Sequence, residues 1–445
     1  MPGEGLFGPI FASETLLEAT GDRAWLRAML DSESALAGAQ ATCGVIPADA
    51  ARQIQAACQA GRFDPVALGR AARSGGNPVI PLVSALVEAV PEPAQVWVHW
   101  GATSQDILDT AAMLLARRSL ELISASLEDL AAACAALAEE HRDTLMLGRT
   151  LLQHALPITF GLKAAGWLWA VDDARQELFR AKGGLAVQLG GAAGTLASLG
   201  PAGPAVVTEF AAALGLAEPG IPWHTARHRV AMLGTALAVI SGTAGKISAD
   251  VALLMQQEVG EACEPAPGGS SAMPHKRNPV AAAAVLAATR RSHAMLPVLF
   301  AAMVAEHERP LGSWHAEWQT LTESLALCGG AAERTAETVA GLEVDSGVMV
   351  SNLHSAGGVL MAERVSLELA QRSGDRAWSQ SAVSAALERC GTSSVSFGEA
   401  LAGDEAVSAV LDGVAIEQLL DPRAYLGSSG VFIDRALARH RDVKG

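Results

Sequence analysis

Apolar residues recur every three or four positions along most of this chain, the spacing that gathers them on one face of a helix. Residues 25–40 follow this pattern, which ends before the turn-forming segment Cys43-Gly44-Val45-Ile46-Pro47. Much longer runs with the same spacing follow. The sequence predicts long helices at residues 107–143, 156–182 and 228–264, from Pro279 onward, and at 314–342.

Helices of this length with short connections predict an elongated antiparallel bundle. We therefore expect an all-α fold, divided where the long helices begin and where shorter helices and polar turns return. The predicted regions are an N-terminal helical domain at residues 1–106, a central long-helix bundle at 107–355 and a C-terminal helical domain at 356–445.

Composition agrees with a helical protein, because half of the 445 residues are hydrophobic and only 4 % are aromatic. The mean hydropathy of +0.26 raises the question of a membrane span. Residues 183–208 are uncharged but rich in glycine and proline, and residues 230–245 are short for a span. We expect instead that other helices surround the apolar ones, partly at contacts between subunits.

The remaining global features predict a soluble cytoplasmic enzyme. The segment Met1-Pro2-Gly3-Glu4-Gly5 lacks the basic and apolar regions of a signal peptide. Six scattered cysteines are expected to be reduced thiols, and a net charge of −15 disfavours nucleic-acid binding. The histidines show no metal-ligand spacing, so we predict no metal, no cofactor and no membrane partner.

Two polar segments interrupt the helical pattern and carry candidate site residues. In the segment at residues 99–106, Thr103 and Asp106 have the spacing of a helix-capping pair. It is either only a helix start or a place where hydroxyl and N–H groups hold a substrate carboxylate. In the segment at residues 148–157, Thr150 and His154 precede a long helix, and taken alone they indicate a structural role.

The segment at residues 264–278 is the strongest candidate. Gly268-Gly269-Ser270-Ser271 is more flexible than a connection selected for stability, and Asn278-Pro279 has the form of a helix start with Asn as the cap. Two hydroxyls, two cations and a helix N-terminus in one loop predict an anion site with a proton carrier. An ordinary exposed loop is the alternative.

Two further motifs are weaker. Glu306-His307-Glu308-Arg309 suggests a metal site, but the H-E-x-x-H form is absent because His315 lies too far along the chain. The glycine-rich segment at residues 190–195 lacks the Gly-Lys-Ser/Thr ending of a phosphate loop. We interpret it as tight packing at a helix turn.

The segment from Gly269 to Pro279 resembles the signature of the fumarase/aspartase superfamily, G-S-S-x-M-P-x-K-x-N-P, and agrees at every fixed position. The two other polar segments fall in the order that this superfamily has, so the resemblance covers nearly the whole chain. It implies a helical homotetramer in which three subunits contribute to each active site.

The resemblance also implies a reaction. A proton is removed or returned alpha to a carboxylate of a small polycarboxylate substrate, and a bond at the beta carbon breaks or forms. The intermediate between these two steps is an aci-carboxylate. Carried over by position, Ser270 and Lys276 are the catalytic residues, with Ser270 as the general base or acid. The implied substrate-binding residues are Thr103, Ser104, Thr150, His154, His224, Ser271, Asn278 and Arg309.

Within the superfamily the chain is most similar to the bacterial 3-carboxy-cis,cis-muconate cycloisomerases, which implies lactonisation in protocatechuate catabolism. Fumarases and adenylosuccinate lyases place a catalytic histidine where this chain has Leu151, and adenylosuccinate lyases place another near Asn77. Leucine transfers no proton to a leaving amine, whereas a departing carboxylate needs little protonation. His154, three residues further on, is an alternative proton donor. Adenylosuccinate lyase or a related C–N or C–O lyase is the alternative. An inactive helical structural protein, like the lens crystallins, is opposed by the retained Ser270, Lys276 and Asn278.

Overall fold

The computed structural model describes residues 5–393 and 395–444. The first four residues, part of the segment that lacks a signal pattern, lie outside the described residues. The fold is all-α, as predicted. Its α-helices are α1 Gly8–Phe11, α2 Glu14–Thr20, α3 Asp22–Thr42, α4 Ala48–Ala57, α5 Pro65–Gly75, α6 Val79–Ala89, α7 Ser104–Glu140, α8 Phe160–Gly183, α9 Gly203–Leu214, α10 His228–Leu254, α11 Val280–Ala301, α12 Ser313–Ala340, α13 Ser346–Ser355, α14 Ala362–Ser373, α15 Arg376–Thr392, α16 Phe397–Ala402, α17 Glu405–Ser408, α18 Gly413–Leu420 and α19 Ser429–Lys444.

The long helices lie where the apolar spacing predicts them, with differences at their ends. α7 and α12 begin and end within a few residues of the predicted positions, and α11 begins within one residue of its predicted start. α10 ends at Leu254 rather than at 264, and the chain then turns as far as Gly260, which has a positive φ of 61°. Short 3₁₀ turns are Ala60–Arg62, Ala94–Trp97, Ala197–Ala202, Val359–Met361 and Pro422–Tyr425.

Two small antiparallel strand pairs were not predicted. β1 Leu145–Thr150 and β2 Gln153–Thr159 form a hairpin immediately before α8, so the predicted helix start at 156 is wrong. β3 Ala262–Cys263 pairs with β4 Glu343–Val344. Both pairs matter here because the first carries Thr150 and His154 and the second lies beside the segment that carries Ser270.

The chain divides into two compact units. The first comprises the chain up to Asp129, Asp173–Ser248 and Ala281–Glu337. The second comprises Leu130–Asp172, Ala249–Val280 and the chain from Thr338 onward. This division falls within α7, α8, α10 and α12 and after the first residue of α11. The three-domain division at 106 and 355 stays a prediction.

Small residues let the helices of the first unit approach closely. One core cluster consists of Ala244, Val285, Ala288, Leu327 and Ala331. A Cβ at Gly234 would lie 2.5 Å from the Leu299 side chain. Alanine and glycine therefore set the spacing between helices, as the low aromatic content indicates.

In the second unit the C-terminal helices enclose a separate apolar cluster that includes Val365, Leu369, Phe397, Leu401 and Leu411. α10 is the one helix in the described chain that is long and apolar enough to cross a membrane by length and composition. In its apolar window, 61 % of the residues are buried, and the core helix of a soluble protein passes the same test.

Candidate active site

The start of α7 is organised by the carboxylate of Asp106. This buried side chain accepts hydrogen bonds from the backbone N–H groups of Thr103, Gly190 and Gly191, each at 2.9 Å. It also bonds Nε2 of His224 at 2.7 Å. The acid of the predicted capping pair is thus in place, and it joins the helix start to the glycine-rich turn and to His224.

Arg309 belongs to the same network. Its guanidinium donates to the Gln105 side-chain oxygen at 3.2 Å and to the Ala192 carbonyl at 2.9 Å. The Gln105 amide in turn donates to the His224 carbonyl at 2.8 Å. Among the described residues no carboxylate pairs with Arg309, which leaves this half-buried cation available for an anion. The first unit therefore brings together Thr103, Ser104, His224 and Arg309 of the predicted site.

The glycine-rich turn is packed tightly, as predicted from its sequence. A Cβ at Gly190 would lie 2.7 Å from Cε1 of His224 and 2.9 Å from the Pro222 side chain. Gly191 and Gly194 both have positive φ angles, of 69° and 80°. Because this turn touches His224 and accepts from Arg309, it shapes the candidate site and does more than connect helices.

The segment before α7 is held in an uncommon conformation. His99 has φ of 56°, a region that side chains with a Cβ seldom occupy, and its Nδ1 lies 2.6 Å from the buried carboxylate of Glu33. Burial alone would lower the pKa of His99, but Glu33 outweighs it and the pKa is raised. The pair fixes the backbone that leads to Thr103 and Ser104.

A buried ion cluster lies one helical turn further along α7. The carboxylate of Asp109 accepts hydrogen bonds from both terminal nitrogens of Arg227, at 2.7 and 3.0 Å, and from the Trp314 indole N–H at 3.0 Å. Arg227 also pairs with Glu317. Burial alone would lower the pKa of Arg227, but the carboxylates of Asp109 and Glu317 outweigh it and the pKa is raised. For Glu317 burial is the larger effect, so its pKa is raised although Arg227 acts to lower it. Since Arg227 follows His224 closely, this cluster anchors the segment that carries His224.

In the second unit the hairpin of β1 and β2 is anchored by Arg149. Its guanidinium makes two bonds of 2.8 and 2.7 Å to the carboxylate of Glu261, which is fully buried. Asn352 donates to the same carboxylate at 2.9 Å and to the Val259 carbonyl at 2.8 Å. This network fixes the residue that directly precedes Thr150.

The hairpin register separates two predicted site residues. Thr150 lies opposite Gln153, and Arg149 lies opposite His154. Residues directly opposite share a face of a strand pair, and successive residues alternate between faces. Thr150 and His154 are both exposed, but they lie on opposite faces of the hairpin.

Leu151 and Leu152 form the turn of this hairpin. Both have positive φ, 50° and 63°, as a two-residue type I′ turn requires, although glycine and asparagine are the usual residues there. Their side chains are 97 % and 74 % exposed. Leu151, which the superfamily resemblance aligns with a catalytic histidine, is thus an apolar residue at the outermost point of the hairpin.

The segment that carries Ser270 is closed at its base. Gly268 and Asn278 exchange two backbone hydrogen bonds, of 2.9 and 2.8 Å, and the Asn278 amide donates to the Gly269 carbonyl at 3.0 Å. Arg277 forms an exposed ion pair with Glu343 of β4 at 3.1 Å. Helix α11 begins at Val280, so the predicted start at Pro279 is one residue early.

Ser270 lies in a turn that directs backbone dipoles at its hydroxyl. The Ser270 oxygen accepts from the N–H groups of Met273 at 3.2 Å and Ala272 at 3.4 Å. Lys276 is exposed, and no carboxylate of the described chain pairs with it. Ser271 and His275 are also exposed, whereas Ser270 is partly shielded. Two N–H groups aimed at one hydroxyl favour its alkoxide form.

The sequence did not reveal the residues that hold these elements in place. Gln105, Glu261 and Asn352 gave no local signal, because their partners lie far along the chain. Asn77, at the position of a lyase histidine, accepts from the Val79 N–H at the start of α6. Within the described ranges, no group of three or more His, Cys, Asp and Glu residues is arranged to hold a metal ion.

Comparison with known proteins extends over the whole chain. Residues 11–291 match the family model described as lyase, and residues 358–436 match adenylosuccinate lyase C-terminus. The chain is 46 % identical over 439 residues to 3-carboxy-cis,cis-muconate cycloisomerase of Bradyrhizobium diazoefficiens, with 97 % of each covered. It is 44 % identical over 447 residues to nitrosuccinate lyase of Streptomyces davaonensis, covering 97 % of this chain and 94 % of that one. The structure of 3-carboxy-cis,cis-muconate lactonizing enzyme from Pseudomonas putida matches with a TM-score of 0.93 at 42 % identity, covering 99 % of this chain and 100 % of that one.

Proposed function

The chain belongs to the fumarase/aspartase family of lyases, and on that premise we propose that it interconverts 3-carboxy-cis,cis-muconate and a carboxymuconolactone in protocatechuate catabolism. Relatives with this activity in their names share nearly half of the residues over nearly the full length. The structural observation that carries the proposal is Leu151, an apolar residue exposed at the hairpin turn where amine-releasing relatives need a histidine.

In the forward reaction one substrate carboxylate oxygen bonds to the beta carbon of a conjugated alkene. The displaced electron pair moves to the alpha carbon and its carboxylate, which becomes the aci-carboxylate. Ser270 then gives its hydroxyl proton to the alpha carbon and afterwards regains a proton from solvent. The reverse reaction needs the Ser270 alkoxide as base. The N–H groups of Met273 and Ala272 would lower the proton affinity of that oxygen, and so would the Lys276 ammonium if the segment brings it close.

The carboxylates of the substrate need donors and cations. We assign Arg309 to one of them, because its guanidinium contacts only neutral acceptors among the described residues. Thr103 and Ser104 at the positive end of α7, together with His224, form a second group of donors. Ser271, Asn278 and Thr150 complete the proposed set from the second unit.

We further propose a cytoplasmic homotetramer in which three subunits contribute to each site. Large apolar side chains exposed on a single chain support it, including Met232 at 60 % and Val239 at 40 % on α10, and Phe300 at 46 % on α11. Light scattering at micromolar concentration is expected to give four times the chain mass. A stable monomer that retains full activity would contradict the shared site.

The activity is tested by ultraviolet absorbance, since lactonisation removes the conjugated diene of 3-carboxymuconate. The second candidate is elimination from nitrosuccinate, favoured by the 44 % identity to a lyase named for that substrate. Nitrite, like a carboxylate, is a weakly basic leaving group and would also need no acid at Leu151. Loss of diene absorbance from 3-carboxymuconate supports cycloisomerisation. Release of nitrite from nitrosuccinate, with the diene of 3-carboxymuconate left intact, would replace the proposed function with nitrosuccinate elimination.

A further inference from the structure

We infer that Gln153 is a substrate-contacting residue that acts together with Thr150, and that His154, on the other face of the hairpin, contributes little. The inference rests on the proposed function, because it concerns how the hairpin meets the polycarboxylate substrate. It follows from the register of the hairpin, which residue spacing alone does not reveal.

The register decides which side chains act together. Thr150 and Gln153 are paired across the two-residue turn and therefore share one face. The irregularity in the pairing lies between Leu147 and Arg149, before this pair, and leaves the alternation at the turn intact. A substrate that meets the Thr150 hydroxyl therefore meets the Gln153 amide before it can meet the imidazole of His154.

The opposite face is the one by which the hairpin is held. Arg149 lies on it, and its guanidinium is committed to the buried carboxylate of Glu261, which Asn352 also binds. The direction of the Arg149 side chain marks this face as turned toward its own unit. The Thr150 and Gln153 face is turned away from that anchor.

The conformation of the turn indicates that the face carrying Thr150 and Gln153 has a functional role. Residues 150–154 are exposed without interruption, and two of them are leucines with positive φ. That backbone conformation costs roughly 1–2 kcal/mol for each residue with a Cβ. Strain of this kind persists where function requires it, and here it extends Thr150 and Gln153 beyond the body of the unit.

The chemistry of this face suits a carboxylate that attacks without being protonated. Neither Gln153 nor Thr150 has a side-chain partner among the described residues, so both keep their donors free. A hydroxyl and an amide N–H can each hold a carboxylate oxygen, yet neither transfers a proton readily at neutral pH. Such donors fix the attacking oxygen while leaving it nucleophilic.

The test compares Gln153→Ala and His154→Ala in the full-length protein, with diene loss from 3-carboxymuconate as the readout. Gln153→Ala is expected to lower kcat/KM about 10- to 100-fold, the loss typical of a hydrogen bond to a charged group. His154→Ala is expected to change it less than about threefold. Both melting temperatures should stay at the wild-type value, because both side chains are exposed.

Gln153→Glu separates a substrate contact from a structural effect. It keeps the shape of the side chain but repels a carboxylate, so the loss should exceed that of Gln153→Ala, mainly through KM. An equal or larger loss in His154→Ala, or near wild-type activity in both Gln153 variants, would overturn the inference. Wild-type protein that leaves the diene intact would instead overturn the proposed function, and this inference with it.

Discussion

Replacement of Glu261 by Gln tests whether a buried ion pair positions the hairpin. The carboxylate of Glu261 is fully buried, and it accepts two bonds from Arg149 and one from Asn352. Glutamine keeps one acceptor oxygen, but its NH₂ group would face a donor where the second oxygen stood. At least one charge-assisted hydrogen bond is therefore lost.

The magnitude follows from that loss. A hydrogen bond to a charged group contributes about 1.5–3 kcal/mol. Arg149 is 22 % exposed and can turn its guanidinium partly to water, which keeps the cost below the several kcal/mol of a fully buried unpaired charge. We expect about 2 kcal/mol of local destabilisation, or roughly a 30-fold increase in the opening of the hairpin.

Hydrogen exchange followed by mass spectrometry measures that opening directly. Peptides covering residues 145–159 should exchange roughly 30-fold faster in Glu261→Gln, and kcat/KM should fall because Thr150 is less well placed. Glu343→Gln is the matched control, since it removes the same charge from the exposed pair with Arg277, a pair expected to contribute less than about 1 kcal/mol. Equal exchange of the hairpin in both variants would refute the positioning role of Glu261.

Three further predictions concern the reaction and the pH dependence of stability. Ser270→Ala should lower kcat by at least about 10²-fold with binding retained. An inactive His275→Ala beside an active Ser270→Ala would instead assign the proton transfer to His275 and contradict the mechanism. Arg309→Ala should cost roughly 2–4 kcal/mol in kcat/KM, measured as initial rates; wild-type kinetics in a folded variant would remove it from the site. The raised pKa of His99 adds stability that is complete below the ordinary histidine pKa of about 6.5 and is lost as the pH rises through the raised value. The stability advantage over His99→Gln, from urea unfolding, should therefore shrink as the pH rises above the ordinary histidine pKa of about 6.5. An advantage that grows would contradict the pairing with Glu33.

The sequence was sufficient for the long helices but not for the hairpin before α8. Apolar spacing over many turns places α7, α11 and α12 well, because a periodic pattern accumulates with length. Leu156, Pro157 and Ile158 also fit the first turn of a helix, where proline is tolerated, and nothing local distinguishes that from a short strand. The pairing of β2 with β1, which the local sequence does not show, makes these residues a strand.

The parts of the candidate site that consist of consecutive motif residues were predictable from the sequence. The parts that depend on contacts between distant residues were not. The segment around Ser270 is recognisable because its residues are consecutive. Glu261, by contrast, meets Arg149 from 112 residues away, and a single carboxylate in a sequence does not indicate its partner. The same holds for Asp106, whose spacing to Thr103 predicted a cap but not the bond to His224.

The bridge between Gly268 and Asn278 has a consequence for the entropy of substrate binding. Because the two arms of the segment are already tied together, residues 269–277 form a small closed loop. The conformational entropy of bringing the two ends of this loop together is therefore lost during folding, before any substrate binds. Ordering this loop over a bound molecule then loses less conformational entropy than ordering an open segment would. Gly269, where a Cβ would meet nothing within 4 Å, leaves room for the loop to adjust. More of the binding free energy of a small substrate therefore remains to hold it in place.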